Sequence, residues 1–140
     1  MGHLSVEIIS PERLVKEVQG VEFVALPGYG GELGVLSGHA PFLLQLKEGE
    51  VRIRAAQSAE SFVVSGGFAE IFQNKVSIFA ETAEVEKEID VERARQAMQR
   101  AQAQMQSRKL SPVELAQIEA AMKLAAVRLK VAELRRNKIR

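Results

Sequence analysis

The sequence contains no cysteine and no tryptophan, and Asp90 is its only aspartate. Without cysteine, disulfide bonds and thiolate metal sites are excluded, and a reducing compartment suits the chain. With one aspartate and two histidines, the usual clusters of His, Cys and Asp that hold metal ions cannot be assembled. The composition therefore predicts neither a disulfide-stabilised protein nor a metalloenzyme, and no cofactor is required.

Long apolar runs are also missing. No uninterrupted apolar segment approaches the roughly 18 residues that a membrane-spanning helix needs. The N-terminus has no signal-peptide pattern. We therefore expect a soluble protein that reaches a membrane only through a partner.

Few side chains could perform catalysis. His3 lies near a terminus that we expect to fray, and His39 lies in the turn Ser37–Pro41, where a structural role bonded to the backbone is favoured over a catalytic one. The glycine-rich stretch Gly28–Gly34 lacks the Gly-Lys-Ser/Thr ending and the following helix of a phosphate-binding loop. This stretch predicts a tight turn between strands. The whole sequence predicts a protein that is not an enzyme alone.

The composition changes near residue 86. All ten glycines, all six phenylalanines and the tyrosine precede that point, enough for one small sandwich core, and no aromatic residue follows it. We predict an α+β protein with an antiparallel β-sandwich of about eight to ten short strands in residues 1–86 and an antiparallel two-helix hairpin in residues 87–140. Such a hairpin buries only a thin seam, so it should be marginally stable alone and able to re-dock.

Strands are indicated by alternating apolar and polar residues between turn signals. The segment Leu4–Ile8 predicts the first strand, and Val51–Arg54 alternates strictly. Val21–Leu26 is predicted to be a separate short strand, closed by Pro27-Gly28. Gln73-Asn74 predicts the turn of a β-hairpin.

Capping residues mark the starts of the helices. Asp90 is predicted to cap the first helix, and Ser111-Pro112-Val113-Glu114 combines an N-cap serine, a first-turn proline and a glutamate three residues after the cap. Spacings of three and four residues predict the contact faces, formed by Ala94, Ala97, Met98, Ala101 and Met105 on one helix and by Leu115, Ile118, Met122, Ala125, Leu129 and Ala132 on the other. Off this seam, and predicted to face another surface, lie Val127, Val131 and Leu134.

Charge is distributed unevenly along the chain. Residues 1–84 carry six basic residues against eleven glutamates, a net charge of −5, whereas residues 85–140 carry a net charge of +6. The basic C-terminal tail should seek an acidic surface, although a solvated helix face is the simpler explanation. Nucleic acid is the rival partner, but the helices have no aromatic residue to stack on bases. We therefore favour an acidic protein groove.

One segment resembles a known family. Gly31–Pro41 closely resembles the signature of the epsilon subunit of F-type ATP synthases, with Ser37 in place of the usual proline. The resemblance continues through Ser65–Glu70 and Thr82–Glu84 to Arg128–Glu133 and covers essentially the whole chain. It implies a non-catalytic subunit of the rotary central stalk that couples proton translocation to ATP synthesis.

The resemblance also implies partners. The sandwich would clamp the gamma subunit and rest on the ring of c subunits, with contacts near Gly31, Glu32, Leu33 and His39. In this family the hairpin folds down on the sandwich or extends along gamma into the alpha/beta catalytic head, where it obstructs ATP hydrolysis. An acidic segment of beta would then meet its basic residues, of which we favour Arg128, Arg135, Arg136 and Lys138. The alternative is a constitutive coupling subunit without regulation.

Some bacterial members bind ATP in the folded-down hairpin, through a motif of Ile or Leu, Asp, two variable residues, Arg and Ala. The matching positions are Ile89, Asp90, Arg93 and Ala94, joined by Glu84 upstream and Arg128 on the second helix. Leu124 stands where those members have a second arginine, and losing that charge-assisted hydrogen bond should weaken binding roughly tenfold or more. The resemblance therefore implies ATP at most as a weak regulatory ligand, without magnesium. The other interpretation is that Asp90 is only a helix cap.

The expected location follows from the same resemblance. The N-terminus has no transit-peptide pattern, and the chain keeps part of a nucleotide site. We therefore expect a bacterial subunit held at the cytoplasmic face of the cell membrane by its partners. The sequence leaves open whether the coupling ion is a proton or sodium.

Overall fold

A computed structural model describes residues 2–107 and 109–139, with the side chains of residues 107 and 135–139 outside the description. The chain divides into two compact units, Met1–Val85 and Glu86–Arg140. The described part of the first unit is built from strands, and that of the second from a short 3₁₀ turn and two helices. The predicted α+β class, a sandwich followed by two helices, is therefore confirmed.

Nine strands lie in the described part of the first unit, and all but β2 are short. They are β1 (Leu4–Ile9), β2 (Leu14–Gly28), β3 (Gly31–Val35), β4 (Phe42–Leu46), β5 (Gly49–Ala55), β6 (Ser58–Val64), β7 (Gly67–Phe72), β8 (Lys75–Ala80) and β9 (Ala83–Val85). One layer has the order β4-β7-β8-β1-β2, and the other has β2-β5-β6-β9 with β3 also paired to β2. The two layers enclose one aliphatic core.

The longest strand, β2, belongs to both layers. Its first half pairs with β1, and its second half pairs with β3 and β5. Val21 pairs with both Leu4 of β1 and Ala55 of β5, so the change of partner falls just after Gly20, whose φ of 66° glycine adopts without strain. A register irregularity follows between Val21 and Phe23. The prediction of a separate strand over Val21–Leu26, closed by Pro27-Gly28, is wrong, because the irregularity bends β2 without ending it.

One strand pair departs from the antiparallel arrangement. Strand β8 runs parallel to β1, with Val6 opposite Val76 and Ile8 opposite Ile78. The other pairings in the described part of the sheet are antiparallel. The parallel pair arises because β8 follows a tight hairpin from β7 and returns in the direction in which β1 runs.

Two predicted turns are present. Gln73 and Asn74 have φ values of 49° and 61°, the positive values that a two-residue turn of the I′ type requires between β7 and β8. Gly28 pairs with Gly31, so Tyr29 and Gly30 form the tight turn between β2 and β3. This turn accounts for the glycine-rich stretch without a phosphate-binding loop.

The core of the first unit is mostly aliphatic. Phe62 is fully buried and Phe23 is half-buried, whereas the other four phenylalanines are exposed. Leucine, isoleucine and valine side chains fill the core instead. The first unit does form one small core, as expected, but four of the six phenylalanines lie outside it and need another explanation.

The second unit is a helical hairpin. A 3₁₀ turn, Glu86–Glu88, precedes α1 (Val91–Ser107) and α2 (Pro112–Ile139), which pack against each other. The short connection between two packed helices makes them antiparallel, as predicted. Ser111 caps α2, since its Oγ accepts a hydrogen bond from the Glu114 N–H at 3.2 Å.

The predicted contact faces of the helices are largely covered. Ala94, Ala101, Ala125 and Ala132 are buried, and the other seam residues are half-buried except Met105, which is exposed near the end of α1. Of the residues off the seam, Val131 is buried, Val127 is half-buried and Leu134 is exposed. Within residues 2–107 and 109–139, no helix is both long and apolar enough to cross a membrane.

Candidate functional site: an exposed sheet face and the start of the helical hairpin

The solvent side of the layer β4-β7-β8-β1-β2 carries an unusual concentration of large apolar side chains. We call this side the outer face. Cross-strand pairing aligns Leu14, Ile9, Phe79 and Phe68 in one row over four strands. Leu14, Phe79 and Phe68 are 51%, 45% and 51% exposed, so nearly half of each side chain remains in water. Exposed apolar patches of this kind mark interaction surfaces.

Two further apolar side chains extend the patch. Leu43 on β4 and Phe72 on β7 point to the same side, because their sequence neighbours Leu44 and Ile71 face the core. Leu43 is the most exposed large apolar residue of the whole face. Eight large apolar residues are exposed in the described part of the first unit, and five of them lie on the outer face, which are Leu14, Leu43, Phe68, Phe72 and Phe79.

A polar cluster lies beside the apolar row. The carboxylate of Glu7 lies 3.3 Å from Lys75 Nζ and accepts a hydrogen bond from Ser77 Oγ at 3.1 Å. Glu7 is only 21% exposed in its side chain. These contacts orient one carboxylate on the outer face.

Sequence reasoning missed the outer face, although β7 carries a signal for it. Side chains alternate between the two faces of a strand, so Phe68 and Phe72 share one face of β7, and Ala69 and Ile71 share the other. Only one face of a sandwich strand packs in the core, so when both faces carry apolar residues, one set must point to solvent. The aromatic set faces outward here because Ala69 and Ile71 are the residues packed in the core.

The predicted partner residues lie elsewhere in the sandwich. Gly31, Glu32 and Leu33 form the start of β3. Glu32 accepts a hydrogen bond from an Arg52 guanidinium nitrogen at 2.5 Å, and Leu33 is half-buried against the core. Glu32 is thus oriented by β5, while the neighbouring turn presents Tyr29 to solvent.

Gly31 is the first residue of β3, whereas His39 lies in the loop that follows the last residue of that strand. Its Nδ1 lies 2.7 Å from the carbonyl oxygen of Ala40, and its ring meets the Phe42 ring edge-on, with centroids 6.3 Å apart. The imidazole is therefore bonded to the backbone, the structural role favoured from sequence. The structure places His39 and Gly31–Leu33 at the two ends of one strand.

The residues of the predicted nucleotide motif cluster at the start of α1. Asp90 Oδ1 accepts a hydrogen bond from the Arg93 N–H at 3.1 Å, and the Asp90 carbonyl accepts one from the Ala94 N–H at 3.0 Å. Ile89 and Ala94 are buried, and the Arg93 side chain is exposed. Asp90 is therefore a helix cap, as predicted.

The remaining nucleotide-site residues lie on other elements. Arg128 and Leu124 are half-buried on α2, which packs against α1. Glu84 is half-buried in β9, in the first unit, opposite Val63. The side chains of the tail residues Arg135, Arg136 and Lys138 lie outside the described residues.

The described side chains do not include a group of three or more His, Asp or Glu residues placed to hold a metal ion. The most distinctive features of the described residues are an exposed apolar sheet face in one unit and a capped, alanine-lined helical hairpin in the other. The exposed apolar face is typical of a protein that acts by binding other proteins.

Comparison with known proteins identifies the family. The family described as "ATP synthase, Delta/Epsilon chain, beta-sandwich domain" matches residues 3–86, and its "long alpha-helix domain" matches residues 87–133. The ATP synthase epsilon chain of Staphylococcus haemolyticus is 42% identical over 135 residues, covering 96% of this chain and 100% of the relative. That of Moorella thermoacetica is 45% identical over 133 residues, covering 94% and 98%.

A solved structure has the same fold over nearly the whole chain. It is a chain of the Euglena gracilis mitochondrial ATP synthase, seen by cryo-EM in an OSCP/F1/c-ring assembly, with a TM-score of 0.81 and 26% identity over 96% of this chain and 82% of that one. The present chain therefore belongs to the epsilon chain family of ATP synthases, non-catalytic subunits of the central stalk that are not enzymes alone.

Proposed function

We propose that this central-stalk subunit couples proton translocation to rotary ATP synthesis and restrains ATP hydrolysis through its helical hairpin. The coupling part of the proposal rests on the outer face, because a subunit that turns with the rotor needs a stable contact with its neighbours. Fully burying one large apolar side chain contributes about 1.5–3 kcal/mol, and since most of these side chains are about half exposed, docking would gain roughly half of that for each. Several such side chains on one face can therefore supply a stable rotor contact.

The gamma subunit is the partner that we assign to the outer face. The apolar row crosses four hydrogen-bonded strands, so it is a rigid surface that transmits torque better than a loop would. The tip of the β2–β3 hairpin, with Tyr29, Gly31 and Glu32, is then available for the ring of c subunits.

Substitution on the outer face tests this assignment. Phe68→Asp should abolish binding of the full-length chain to the gamma subunit in calorimetric titration, because the charge would be desolvated on docking. Ala59→Asp, at an exposed position on β6, is the matched control and should bind normally. Tyr29→Asp should also bind gamma normally but weaken association with the c ring. Normal gamma binding by Phe68→Asp would contradict the proposal.

The regulatory part of the proposal rests on the hairpin. The fully buried positions of its seam are alanines, among them Ala94, Ala101 and Ala125, so these positions bury little apolar surface between the two helices. A unit stabilised this weakly can exchange one docking surface for another with small changes in free energy. The basic residues Arg135, Arg136 and Lys138 would favour an acidic segment of beta in the extended position.

Removal of the hairpin tests regulation. Deleting the residues after Asp90 in the assembled enzyme should raise ATP hydrolysis, since the obstructing element is gone. Neutralising the three tail residues to glutamine should also relieve inhibition, whereas the matched triple Arg100→Gln, Lys109→Gln and Lys123→Gln, at exposed hairpin positions, should not. Unchanged hydrolysis after the deletion, at every nucleotide concentration and proton gradient, would favour a constitutive coupling subunit.

Two further properties complete the proposal. ATP is a weak regulatory ligand of the hairpin, supported by the position of Asp90 and Arg93 together at the start of α1. The subunit is peripheral and lies at the cytoplasmic face of a bacterial cell membrane, held there by its partners. The bacterial relatives among the epsilon chains support this location.

A further inference from the structure

A second row of side chains crosses the outer face beside the apolar row, and it is acidic. Strand pairing places Glu17 opposite Glu7, Glu7 opposite Ser77, and Ser77 opposite Glu70. The acidic row therefore runs over β2, β1, β8 and β7, the same four strands that carry the apolar row.

The carboxylates of this row differ in their contacts. Glu7 is engaged by Lys75 and Ser77. Glu17 and Glu70 are exposed, and within the described part of the chain neither has a basic side chain within ion-pair distance. Two carboxylates thus border the apolar row without a counter-ion from residues 2–85.

This arrangement does not serve the stability of the sheet. Glu17 lies directly opposite Glu7 on the neighbouring strand, where like charges repel each other, and Lys75, which pairs with Glu7, offsets part of that repulsion. Residues 1–84 have a net charge of −5, so this pair of glutamates belongs to an overall excess of negative charge. The acidic row is better explained by a bound partner than by the fold.

We propose that the segment docked on the outer face has an apolar ridge flanked on one side by lysine or arginine residues that pair with Glu17 and Glu70. Covering the apolar row removes water from the adjacent carboxylates, and an unpaired carboxylate is costly to desolvate. Basic side chains on the partner remove that cost and select one orientation of docking. This inference rests on the proposed docking of gamma on the outer face.

The strand spacing sets the distance between the two basic groups. Glu17 and Glu70 are three strands apart, and neighbouring strands lie about 4.8 Å from each other, so the partner's cations should be about 14 Å apart. On a helix lying across the strands this distance corresponds to about three turns.

Charge neutralisation tests the inference with the full-length chain and the gamma subunit. The double variant Glu17→Gln and Glu70→Gln should bind gamma about tenfold more weakly at low salt, and its affinity should depend less steeply on salt than that of the original chain. The control Glu22→Gln and Glu50→Gln makes the same change of charge in the second layer, on β2 and β5, and should change the affinity by less than about twofold. The double variant should be at least as stable in urea, because Glu17→Gln removes a repulsion.

The outcomes separate this inference from the docking proposal. If the double variant binds with unchanged affinity and salt dependence while Phe68→Asp abolishes binding, docking is purely apolar and the inference is overturned. If Phe68→Asp binds normally, the outer face is not the interface, and the docking proposal fails with the inference. If the Glu22 and Glu50 control weakens gamma binding equally, the effect comes from the overall charge of the chain and not from the acidic row. That result would also overturn the inference.

Discussion

The backbone N–H of Gly38 donates a hydrogen bond to Asn74 Oδ1 at 2.7 Å, joining two loops that are 36 residues apart in sequence. Asn74 is the second residue of the turn between β7 and β8, and its own carbonyl accepts a hydrogen bond from the Ser5 N–H at 2.9 Å. One residue therefore holds together the turn, the start of β1 and the loop that contains His39.

The contribution of this hydrogen bond can be isolated because Asn74 has a φ of 61°, which glycine tolerates. Asn74→Gly should keep the turn but lower the free energy of unfolding by about 1 kcal/mol and speed hydrogen exchange at the Gly38 amide. Asn74→Asp keeps the acceptor oxygen and should leave that amide protected. Gln73→Gly, with a similar φ, is the control. If Gly38 exchanges equally slowly in Asn74→Gly, the hydrogen bond does not hold the loop.

Gly67 is required by the close approach of β7 and β8. A Cβ at this position would overlap the carbonyl oxygen of Phe79, and its φ of 124° disfavours any side chain. Gly67→Ala should therefore lower the free energy of unfolding by at least about 2 kcal/mol, measured by urea denaturation. Gly30→Ala, in an open turn with no atom within 4 Å of the added Cβ, should change it by less than about 1 kcal/mol. Similar midpoints for the two variants would refute the steric argument.

The cap of α1 gives a prediction that separates hydrogen bonding from charge. Asp90→Ala should destabilise the start of α1 by about 1 kcal/mol, whereas Asp90→Asn should be nearly neutral, because asparagine caps helices as well as aspartate. Hydrogen exchange at the Arg93 amide, which donates to Asp90 Oδ1, reports the effect directly. Ser111→Ala should produce a comparable loss at Glu114 in α2. Equal exchange in Asp90→Ala and Asp90→Asn would show that the cap is not formed in solution.

The proposed binding of ATP to the hairpin can be tested by comparing two neighbouring arginines. Arg93→Ala should weaken ATP binding about tenfold or more in calorimetric titration, because a charge-assisted hydrogen bond to phosphate is lost. Arg95 pairs with Glu92 at 2.8 Å, so Arg95→Ala should bind ATP normally. Leu124→Arg should tighten binding by a similar factor. Absence of binding to both the original chain and Leu124→Arg would remove ATP from the proposed function.

Much of the local structure could be predicted from the sequence. The turn at Gln73-Asn74, the caps Asp90 and Ser111 and the alternation of Val51–Arg54 depend on neighbours within a few residues, so nearby sequence carries the necessary information. The helical seam follows for the same reason, because its period is visible along one segment.

The outer face could not be predicted in the same way. Its rows form because β8 inserts beside β1 and brings Ser77 to Glu7 across 70 residues of sequence. Alternation shows that β7 has two sides, but it does not show which side faces the core. The assignment of Phe68 and Phe79 to solvent depends on the packing of both layers.

The sequence by itself determined the two kinds of secondary structure, the change between them near residue 86, the helix caps and the family. Tertiary structure alone decided that β2 serves both layers, that β1 and β8 run parallel, and that the apolar and acidic rows lie side by side. The physical reason is the separation along the sequence of the residues that interact. Caps, turns and helical periodicity depend on residues close in sequence, whereas a binding face forms only when strands distant in sequence pair in one register.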